Sequence, residues 1–342
     1  MGLIKSKIIN RKDDHIRINL TEDVQSGLTN GLENIRFEHN AMPEINFKEI
    51  QLEKIIFGKR LEAPILISSM TGGVERAKQI NHVLAMAAQN TGIALALGSQ
   101  RSALELKEME TTFKIRKTAP DILLFANLGA VQLNYEKDYI GYCQRAIEMV
   151  EADALYLHLN PLQEALQPEG DTQYQGLIEK INDVIKKISI PLLIKEVGWG
   201  ISETVAKQLI QAGVQGIDVA GAGGTSWSQV EMYRIEDENK RRVAGSFKNW
   251  GITTAESIVN VRKVSQKCMV IASGGIRNGL DIAKSIRLGA DMAGMAGPFL
   301  KAALKSEEET IRLIDEMKHG LKISMFVTGS KDLSQLAKAK LL

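Results

Sequence analysis

Residues 152–164 read ADALYLHLNPLQE, a short apolar segment that ends in polar side chains. Leu155, Leu157 and Leu159 share one face of an extended chain, whereas Tyr156, His158 and Asn160 share the other. Leucines suit a surface covered by helices, and the polar face would then point inward, near the end of the strand. This arrangement is typical of one strand of a parallel barrel with its functional groups at the strand end.

Similar apolar runs, rich in β-branched residues, recur from residue 64 onward. Amphipathic stretches that end in glycine separate them, which indicates alternating strands and helices. The predicted strands span residues 64–68, 92–98, 121–128, 152–160, 191–197, 216–220, 269–273 and 292–296. Eight such units can close a barrel.

Polar or glycine-rich residues follow nearly every predicted strand, and no GxGxxG turn follows the first one. A doubly wound open sheet would usually carry that turn, whereas in a barrel all strand ends meet at one mouth. We therefore predict one α/β domain over residues 1–342, a (β/α)8 TIM barrel at 64–300. An extension at 1–60 would contribute to the active site, and helices would occupy 301–342. A long charged insertion after the sixth strand, at 231–254, could be a solvated loop or a lid.

The composition sets limits on function. The 43 basic and 41 acidic residues give a net charge of +2, which provides no general attraction to nucleic acid or to an anionic membrane. No apolar run is long enough for a membrane span, and the N-terminal region has no signal-peptide pattern. The two cysteines have no metal-site or disulfide spacing. We expect a cytoplasmic protein that binds a small molecule.

His158 and Asn160 would point into the barrel, where an unpaired polar group costs ~1–3 kcal/mol. A polar pair satisfied within the core is the ordinary interpretation. Gln163 and Glu164 follow at the same mouth and add an amide and a carboxylate beyond what packing needs. We therefore favour a functional cluster.

Lys195 and Glu196 are neighbours on the fifth predicted strand, so their side chains must face opposite sides and cannot pair with each other. Lys195 shares its face with Leu193 and Val197. Burial of an unpaired ammonium is strongly unfavourable, so an inward lysine needs an anion or an electron-rich partner. We favour a ligand over a salt bridge across the barrel.

Two groups of residues could bind anions. Glycine clusters at 221–225 and 274–277 follow late strands, where barrels often bind phosphate, although glycines also serve ordinary tight turns. Near the N-terminus, Asn10 could cap a helix on which Arg11 and His15 share a face. A short charged run is usually a solvated tail, and only docking over the mouth would make it a diphosphate clamp together with Arg101.

Seven stretches carry a resemblance that spans nearly the whole chain. They are RKDDH at 11–15, APILISSMTGG at 63–73, LGSQR at 97–101, HLNPLQE at 158–164, KEVGWG at 195–200, DVAGAGGTSW at 218–227 and SGGIR at 273–277. Together they resemble the type 2 isopentenyl-diphosphate delta-isomerase family of FMN-dependent barrels. HLNPLQE and AGAGGTSW are long and specific, whereas residues 231–250 match only loosely.

The resemblance implies interconversion of isopentenyl and dimethylallyl diphosphate with reduced FMN, NADPH as reductant and Mg2+ on the diphosphate. It also implies a homo-oligomer, a tetramer or a homooctamer. The implied FMN contacts are Ser68, Ser69, Met70, Thr71, Ser99, Asn127, Lys195, Thr225, Gly275, Ile276, Arg277, Ala296 and Gly297. The implied contacts of the diphosphate substrate are Arg11, Lys12, His15, Ser99, Gln100 and Arg101.

The implied catalytic group is Gln163, at the reacting alkene, with Glu164 holding Mg2+. Moving a double bond requires a proton delivered to one carbon and removed from another, while positive charge is stabilised. Reduced flavin is electron-rich enough for this, and Lys195 would steady its negative charge. We expect His158 and Asn160 to orient Gln163 and the flavin edge rather than to titrate.

The same residues argue against three other functions. An FMN-dependent oxidase of 2-hydroxy acids would use a histidine at the end of a late strand. The five histidines lie at 15, 39, 82, 158 and 319, and none of them is at the end of the sixth, seventh or eighth predicted strand. An enzyme similar to IMP dehydrogenase would use a loop cysteine, but Cys143 falls in a predicted helix and Cys268 at a strand start. A flavin carrier or sensor would need no polar cluster beyond its cofactor contacts.

Overall fold

The computed structural model describes the backbone of residues 2–342 and the side chains of residues 11–342. Over this range eight parallel strands form a closed barrel, preceded by an antiparallel hairpin. The hairpin strands are β1 (Lys54–Ile56) and β2 (Lys59–Leu61). The barrel strands are β3 (Ile65–Ile67), β4 (Ala94–Ala96), β5 (Leu124–Gly129), β6 (Ala154–His158), β7 (Leu192–Lys195), β8 (Gly216–Asp218), β9 (Met269–Ser273) and β10 (Met292–Met295). Each overlaps its predicted range, and the predicted (β/α)8 barrel is confirmed.

The strands hydrogen-bond in chain order, and β10 closes the barrel against β3. Side chains alternate along each strand between the barrel interior and the helix layer. On β6, Leu155 and Leu157 pack in the layer beneath the helices, whereas Tyr156 belongs to the interior cluster. Phe125 stacks on Tyr156 there, with ring centroids 4.8 Å apart. The predicted facing of this strand is confirmed.

Helices surround the barrel and follow the strands. They are α1 (Gly2–Thr21), α2 (Glu75–Thr91), α3 (Arg101–Glu105), α4 (Tyr139–Val150), α5 (Pro161–Leu166), α6 (Leu177–Lys187), α7 (Glu203–Gln211), α8 (Trp227–Arg234), α9 (Glu238–Ser246), α10 (Thr254–Val264), α11 (Gly279–Leu288), α12 (Gly297–Ala303), α13 (Glu307–Phe326) and α14 (Leu333–Leu336). Capping residues determine where several of these helices begin. Thr253 and Glu256 form a capping box at α10, for example.

The hairpin closes one end of the barrel. Its turn has positive φ angles at Phe57 (48°) and Gly58 (78°), as expected for a tight two-residue hairpin turn. Ile56 and Leu61 are buried in the same cluster as the barrel interior, and Phe57 packs against that cluster. Side chains therefore fill the barrel at this end and leave the other end for the site.

Two predicted features of the mouth differ from the structure. The helix α1 begins at Gly2, so Asn10 lies within it and is not its cap. The insertion at 231–254 is neither an irregular loop nor fully solvated, because it contains the end of α8, all of α9 and a 3-10 helix at Phe247–Asn249. Its charged residues pointed to solvent exposure, but Glu231 on α8 is buried.

Among the described residues, no helix combines the length and apolar character that crossing a membrane requires.

Candidate active site

The mouth of the barrel holds a cavity of about 740 Å³, within the range of about 300–1,000 Å³ that is usual for small-molecule sites. All thirteen residues implied as FMN contacts line it: Ser68, Ser69, Met70, Thr71, Ser99, Asn127, Lys195, Thr225, Gly275, Ile276, Arg277, Ala296 and Gly297. The remaining implied site residues that line it are Arg11, Lys12, His15, Arg101, His158, Asn160, Gln163 and Glu164. The structure thus brings together residues from α1 and from the ends of the barrel strands.

Gln100 is the exception, because it does not line the cavity. Its side chain is buried in the barrel wall, where Nε2 donates to the carbonyl of Ala146 over 2.8 Å. Its Oε1 accepts the backbone N–H of Asn127 over 2.9 Å. The prediction that Gln100 contacts substrate is therefore corrected: its amide joins β5 to α4, since the chain turns into α3 immediately after it.

Three hydroxyls after β3 are buried without a hydrogen-bond partner among the described residues. They belong to Ser68, Ser69 and Thr71, and all three residues line the cavity. Each unpaired buried hydroxyl costs about 1–3 kcal/mol. These atoms are therefore suited to a polar ligand that supplies the missing partners.

The glycine turns after β8, β9 and β10 allow close packing around the cavity. Gly275 has a φ of +72°, and a Cβ there would lie 2.3 Å from the carbonyl oxygen of Gly223. A side chain at this position would push the two loops apart. By contrast, a Cβ on Gly297 would meet no atom within 4 Å, so the backbone there borders open space.

His158 lies at the end of β6 and contacts Asn127 on the neighbouring strand. Its Nδ1 is 2.8 Å from Asn127 Oδ1, and the amide nitrogen of Asn127 donates to the carbonyl of Leu97. This chain of bonds places the ring proton on Nδ1. Burial, together with the positive charges of Lys195 and Lys12, lowers the pKa of His158 to about 3. The ring is therefore neutral at physiological pH.

The side chain of Gln163 is held in one orientation by two neighbours. Its Oε1 accepts from Asn160 over 3.1 Å, and its Nε2 donates to Glu231 over 2.9 Å. Asn160 therefore contacts Gln163, as expected of an orienting residue. His158 is hydrogen-bonded to Asn127 and not to Gln163. Its ring therefore does not hold the Gln163 amide, and any effect of His158 on a ligand would come from the ring itself, which lines the cavity.

Glu231 is a residue of the site that sequence reasoning missed. It contacts Gln163, and its Oε1 also lies 3.1 Å from His15 Nε2 on α1, while its Oε2 accepts from Arg234 over 2.6 Å. Burial opposes its ionisation. The hydrogen bond with His15 and the charge of Arg234 outweigh burial and lower the pKa of Glu231 to about 2. The carboxylate is therefore charged and joins α1 to α5 and α8.

The helix α1 docks over the mouth and makes one end of the cavity positive. Arg11, Lys12 and His15 line the cavity together with Arg101. Burial, with the charges of Arg11 and Arg101, lowers the pKa of Lys12 to about 8. Arg101 forms salt bridges with Glu105 at 2.7 Å and with Asp171 at 2.5 Å. Because Arg101 is already paired with two carboxylates, the positive charge that suits this end of the cavity to an anion comes mainly from Arg11 and Lys12.

Lys195 points into the cavity from β7. Its ammonium donates to the carbonyl oxygen of Glu196 over 2.6 Å and forms no salt bridge within the described side chains. The carboxylate of Glu196 faces the other way and accepts the backbone N–H groups of residues 197–200. The predicted opposite facing of the two side chains is confirmed, and no structural salt bridge accounts for the inward lysine.

The carboxylate of Glu164 lies beside this network. Its Oε1 accepts from Asn160 over 2.8 Å, and its Oε2 accepts from Gln167 and from the backbone N–H of Asp171. A carboxylate has about four lone-pair sites, so a site remains for a cation. Within residues 11–342 no group of three or more histidine, cysteine or acidic side chains could hold a metal alone, so a metal here would need ligands from a bound molecule.

Comparisons with known proteins agree with this geometry. Residues 157–342 match the model of the family described as FMN-dependent dehydrogenase. The chain is 54% identical over 336 residues to an isopentenyl-diphosphate delta-isomerase of Rickettsia bellii (strain RML369-C), covering 97% of each chain. It is 53% identical over 327 residues to one of Nostoc sp. (strain PCC 7120), covering 95% of this chain and 93% of the relative.

Among solved structures, the chain is similar to mandelate oxidase with a TM-score of 0.65. The two are 17% identical, and the match covers 99% of this chain and 98% of the oxidase. At that identity the likeness shows the fold alone.

Proposed function

Because this chain belongs to the isopentenyl-diphosphate delta-isomerase family, we propose that it interconverts isopentenyl diphosphate and dimethylallyl diphosphate by a 1,3-allylic proton shift, with reduced FMN as cofactor. NADPH supplies the reducing electrons, and Mg2+ accompanies the diphosphate. The observation that carries this proposal is the single cavity at the mouth, in which an inward lysine, glycine turns and the HLNPLQE segment face a positive end formed by α1 and Arg101.

The residues present fit FMN. The unpartnered hydroxyls of Ser68, Ser69 and Thr71 can bond to a polar ring edge, and Lys195 can bond to a negative one. The turns at Gly275 and Gly297 border the cavity after β9 and β10, where barrels often bind phosphate. These groups would hold the cofactor from opposite sides of the mouth.

FMN in its reduced form supplies an electron-rich ring that stabilises positive charge on a neighbouring carbon and can exchange a proton. The protein's part is to stabilise the negative charge of the reduced ring. Lys195 directs a positive charge into the cavity, and the half-buried, neutral His158 lies beside it without adding a second one. Helix α1, which lies over the mouth, would limit the entry of water, which would otherwise trap a positively charged species.

The positive end of the cavity holds the diphosphate. Arg11, Lys12 and Arg101 meet its oxygens, and Glu164 offers one carboxylate to Mg2+, which prefers oxygen ligands and commonly takes one or two carboxylates plus phosphate oxygens. His15 is tied to Glu231 and fixes α1 over this end. Substrate is thereby anchored with its alkene toward Gln163.

Gln163 lies at the reacting alkene. Asn160 and Glu231 bind its oxygen and nitrogen, so the amide cannot flip and presents a constant pattern of donor and acceptor to the substrate. This fixed polar group orients the carbon that gains or loses a proton. A carrier or sensor of flavin would have no use for such an arrangement.

The decisive experiment is an anaerobic incubation of the purified protein, loaded with FMN, with NADPH, Mg2+ and isopentenyl diphosphate. We expect dimethylallyl diphosphate to form until the two isomers equilibrate, and expect no turnover when FMN or NADPH is omitted. FMN binding without product would favour the carrier function. Oxidation of mandelate or lactate without isomerisation would favour an oxidase.

A tetramer or octamer and a cytoplasmic location stay predictions. Light scattering of the purified protein measures the first, and fractionation of the cells that make it measures the second.

A further inference from the structure

A fully buried carboxylate lies just below the cavity. Asp218 ends β8, is 0% exposed and does not line the cavity. It occupies the boundary between the apolar interior cluster, which includes Leu193 and Ile271, and the polar mouth. A charge in such a place is costly unless it is paired and hydrogen-bonded, and the proposed function leaves it without a role.

Both oxygens of Asp218 accept hydrogen bonds from hydroxyl groups. Ser273 Oγ donates to Oδ1 over 2.5 Å, and the hydroxyl of Tyr156 donates to Oδ2 over 3.1 Å. Ser273 itself lines the cavity. Donors on both oxygens favour the ionised form of the carboxyl group over the neutral form.

Lys195 supplies the matching positive charge. It is the register partner of Asp218 on the neighbouring strand, where strands lie about 5 Å apart. Register partners on neighbouring parallel strands face the same side, so both side chains point into the barrel. Burial raises the pKa of Asp218, and Lys195, Ser273 and Tyr156 act in the opposite direction.

We propose that Asp218 is the buried counter-ion of Lys195, and that its charge offsets part of the field that Lys195 exerts on FMN in the cavity. This inference rests on the proposed function in one respect, the binding of FMN beside Lys195. Asp218 touches neither cofactor nor substrate and acts through the lysine. It tunes how strongly the reduced, anionic form of FMN is stabilised.

The substitution Asp218→Asn tests this, because the amide has the same shape and can still bond to both hydroxyls while the charge is lost. With the counter-ion removed, the lysine charge acts on FMN undiminished. The midpoint potential of bound FMN, measured by equilibration with a redox dye, is expected to become more positive. An unchanged or more negative potential overturns the proposal.

Tyr156→Phe is the matched control, because it removes one hydrogen bond from Asp218 and leaves the charge. Its shift in potential is expected to be clearly smaller than that of Asp218→Asn. Equal shifts would mean that packing around the carboxylate, and not its charge, sets the potential, which overturns the proposal.

A second measurement needs no bound cofactor. Infrared spectra of the protein labelled at its aspartates, compared between wild type and Tyr156→Phe, report whether the perturbed group is a carboxylate or a protonated acid. A carboxylate band supports the counter-ion, and a protonated carbonyl band excludes it, even if Asp218→Asn does not fold. If the wild type binds no FMN, the proposed function fails, and this spectrum still decides the ionisation of Asp218.

Discussion

The side-chain amide of Gln163 donates a hydrogen bond to Glu231 over 2.9 Å, and so connects the helix after β6 to the helix after β8. The same carboxylate contacts His15 on α1 at 3.1 Å. One buried charge therefore connects α1, which covers the cavity, to the cavity wall and to Gln163.

Glu231→Gln is expected to lower both stability and turnover. Removing one partner of a buried ion pair costs about 3–5 kcal/mol, and Arg234 at 2.6 Å would lose its closest carboxylate. Urea unfolding and steady-state kinetics measure the two effects. Glu236→Gln removes an exposed carboxylate from the same insertion and should change neither. Equal effects of the two substitutions would contradict the placement of Glu231.

Gln163→Ala is expected to reduce kcat by about 10²-fold or more, because the alkene loses the group that orients it. FMN affinity should stay the same, because the residues that fit FMN lie on other strands. Fluorescence titration with FMN and initial rates separate the two quantities. Gln211→Ala, at an exposed position on α7, is the control. Full activity of both Gln163→Ala and His158→Gln would refute the assignment of this cluster.

His158 should make the folded state sensitive to acid. Its pKa is about 3 in the folded chain and roughly 6.5 when unfolded, so between these values only the unfolded chain binds the proton. Stability therefore falls as the pH falls from 6.5 towards 3, by about 2 kcal/mol at pH 5. His158→Gln should remove this part of the difference in unfolding free energy between pH 7.5 and pH 5. His39→Gln, at an exposed position, should retain it.

Lys12 should give kcat/KM for the diphosphate substrate an alkaline limb. With a pKa of about 8, the lysine is charged below that pH and attracts the diphosphate, and the attraction is lost as the pH rises through 8. Initial rates at low substrate, measured from pH 7 to 9.5, test this. Lys12→Arg, which stays charged, should flatten the limb. A limb that persists in Lys12→Arg would assign it to another group.

Removal of Mg2+ by a chelator should abolish turnover without releasing FMN, if Glu164 holds the metal against the diphosphate. Glu164→Gln should raise the Mg2+ concentration needed for half-maximal rate by roughly tenfold or more, because a charged ligand becomes neutral. Titration of rate with Mg2+ measures this. An unchanged Mg2+ requirement would place the metal elsewhere.

The fold and much of the site could be predicted because they depend on local pattern. Alternation along residues 154–160 fixed which side chains of β6 face inward, and the positions of polar residues at strand ends placed them at one mouth. Lys195 and Glu196 face opposite sides for the same reason. These features depend on the alternation of side chains along a strand and on the order of strands and helices, and both can be predicted from a single sequence.

The remaining features depend on contacts between distant segments. The side chain of Gln100 turns to the carbonyl of Ala146, which only tertiary packing brings near. The burial of Glu231 requires α1 and Arg234 beside it, whereas the charged sequence around it favours solvent. Asn10 was predicted as a helix cap because asparagine is favoured at that position, but the helix begins earlier, at Gly2. Sequence reasoning had no signal for these partners.

The hairpin fills the far end of the barrel, so the cavity opens at the mouth. With Ile56, Phe57 and Leu61 packed against the interior, the mouth is the open end of the barrel, and a molecule would both enter and leave there. Two isomers of equal charge and nearly equal size would then compete for that passage and for the same anchoring cations. Accumulated product should slow the forward conversion as a competitive inhibitor of its own precursor.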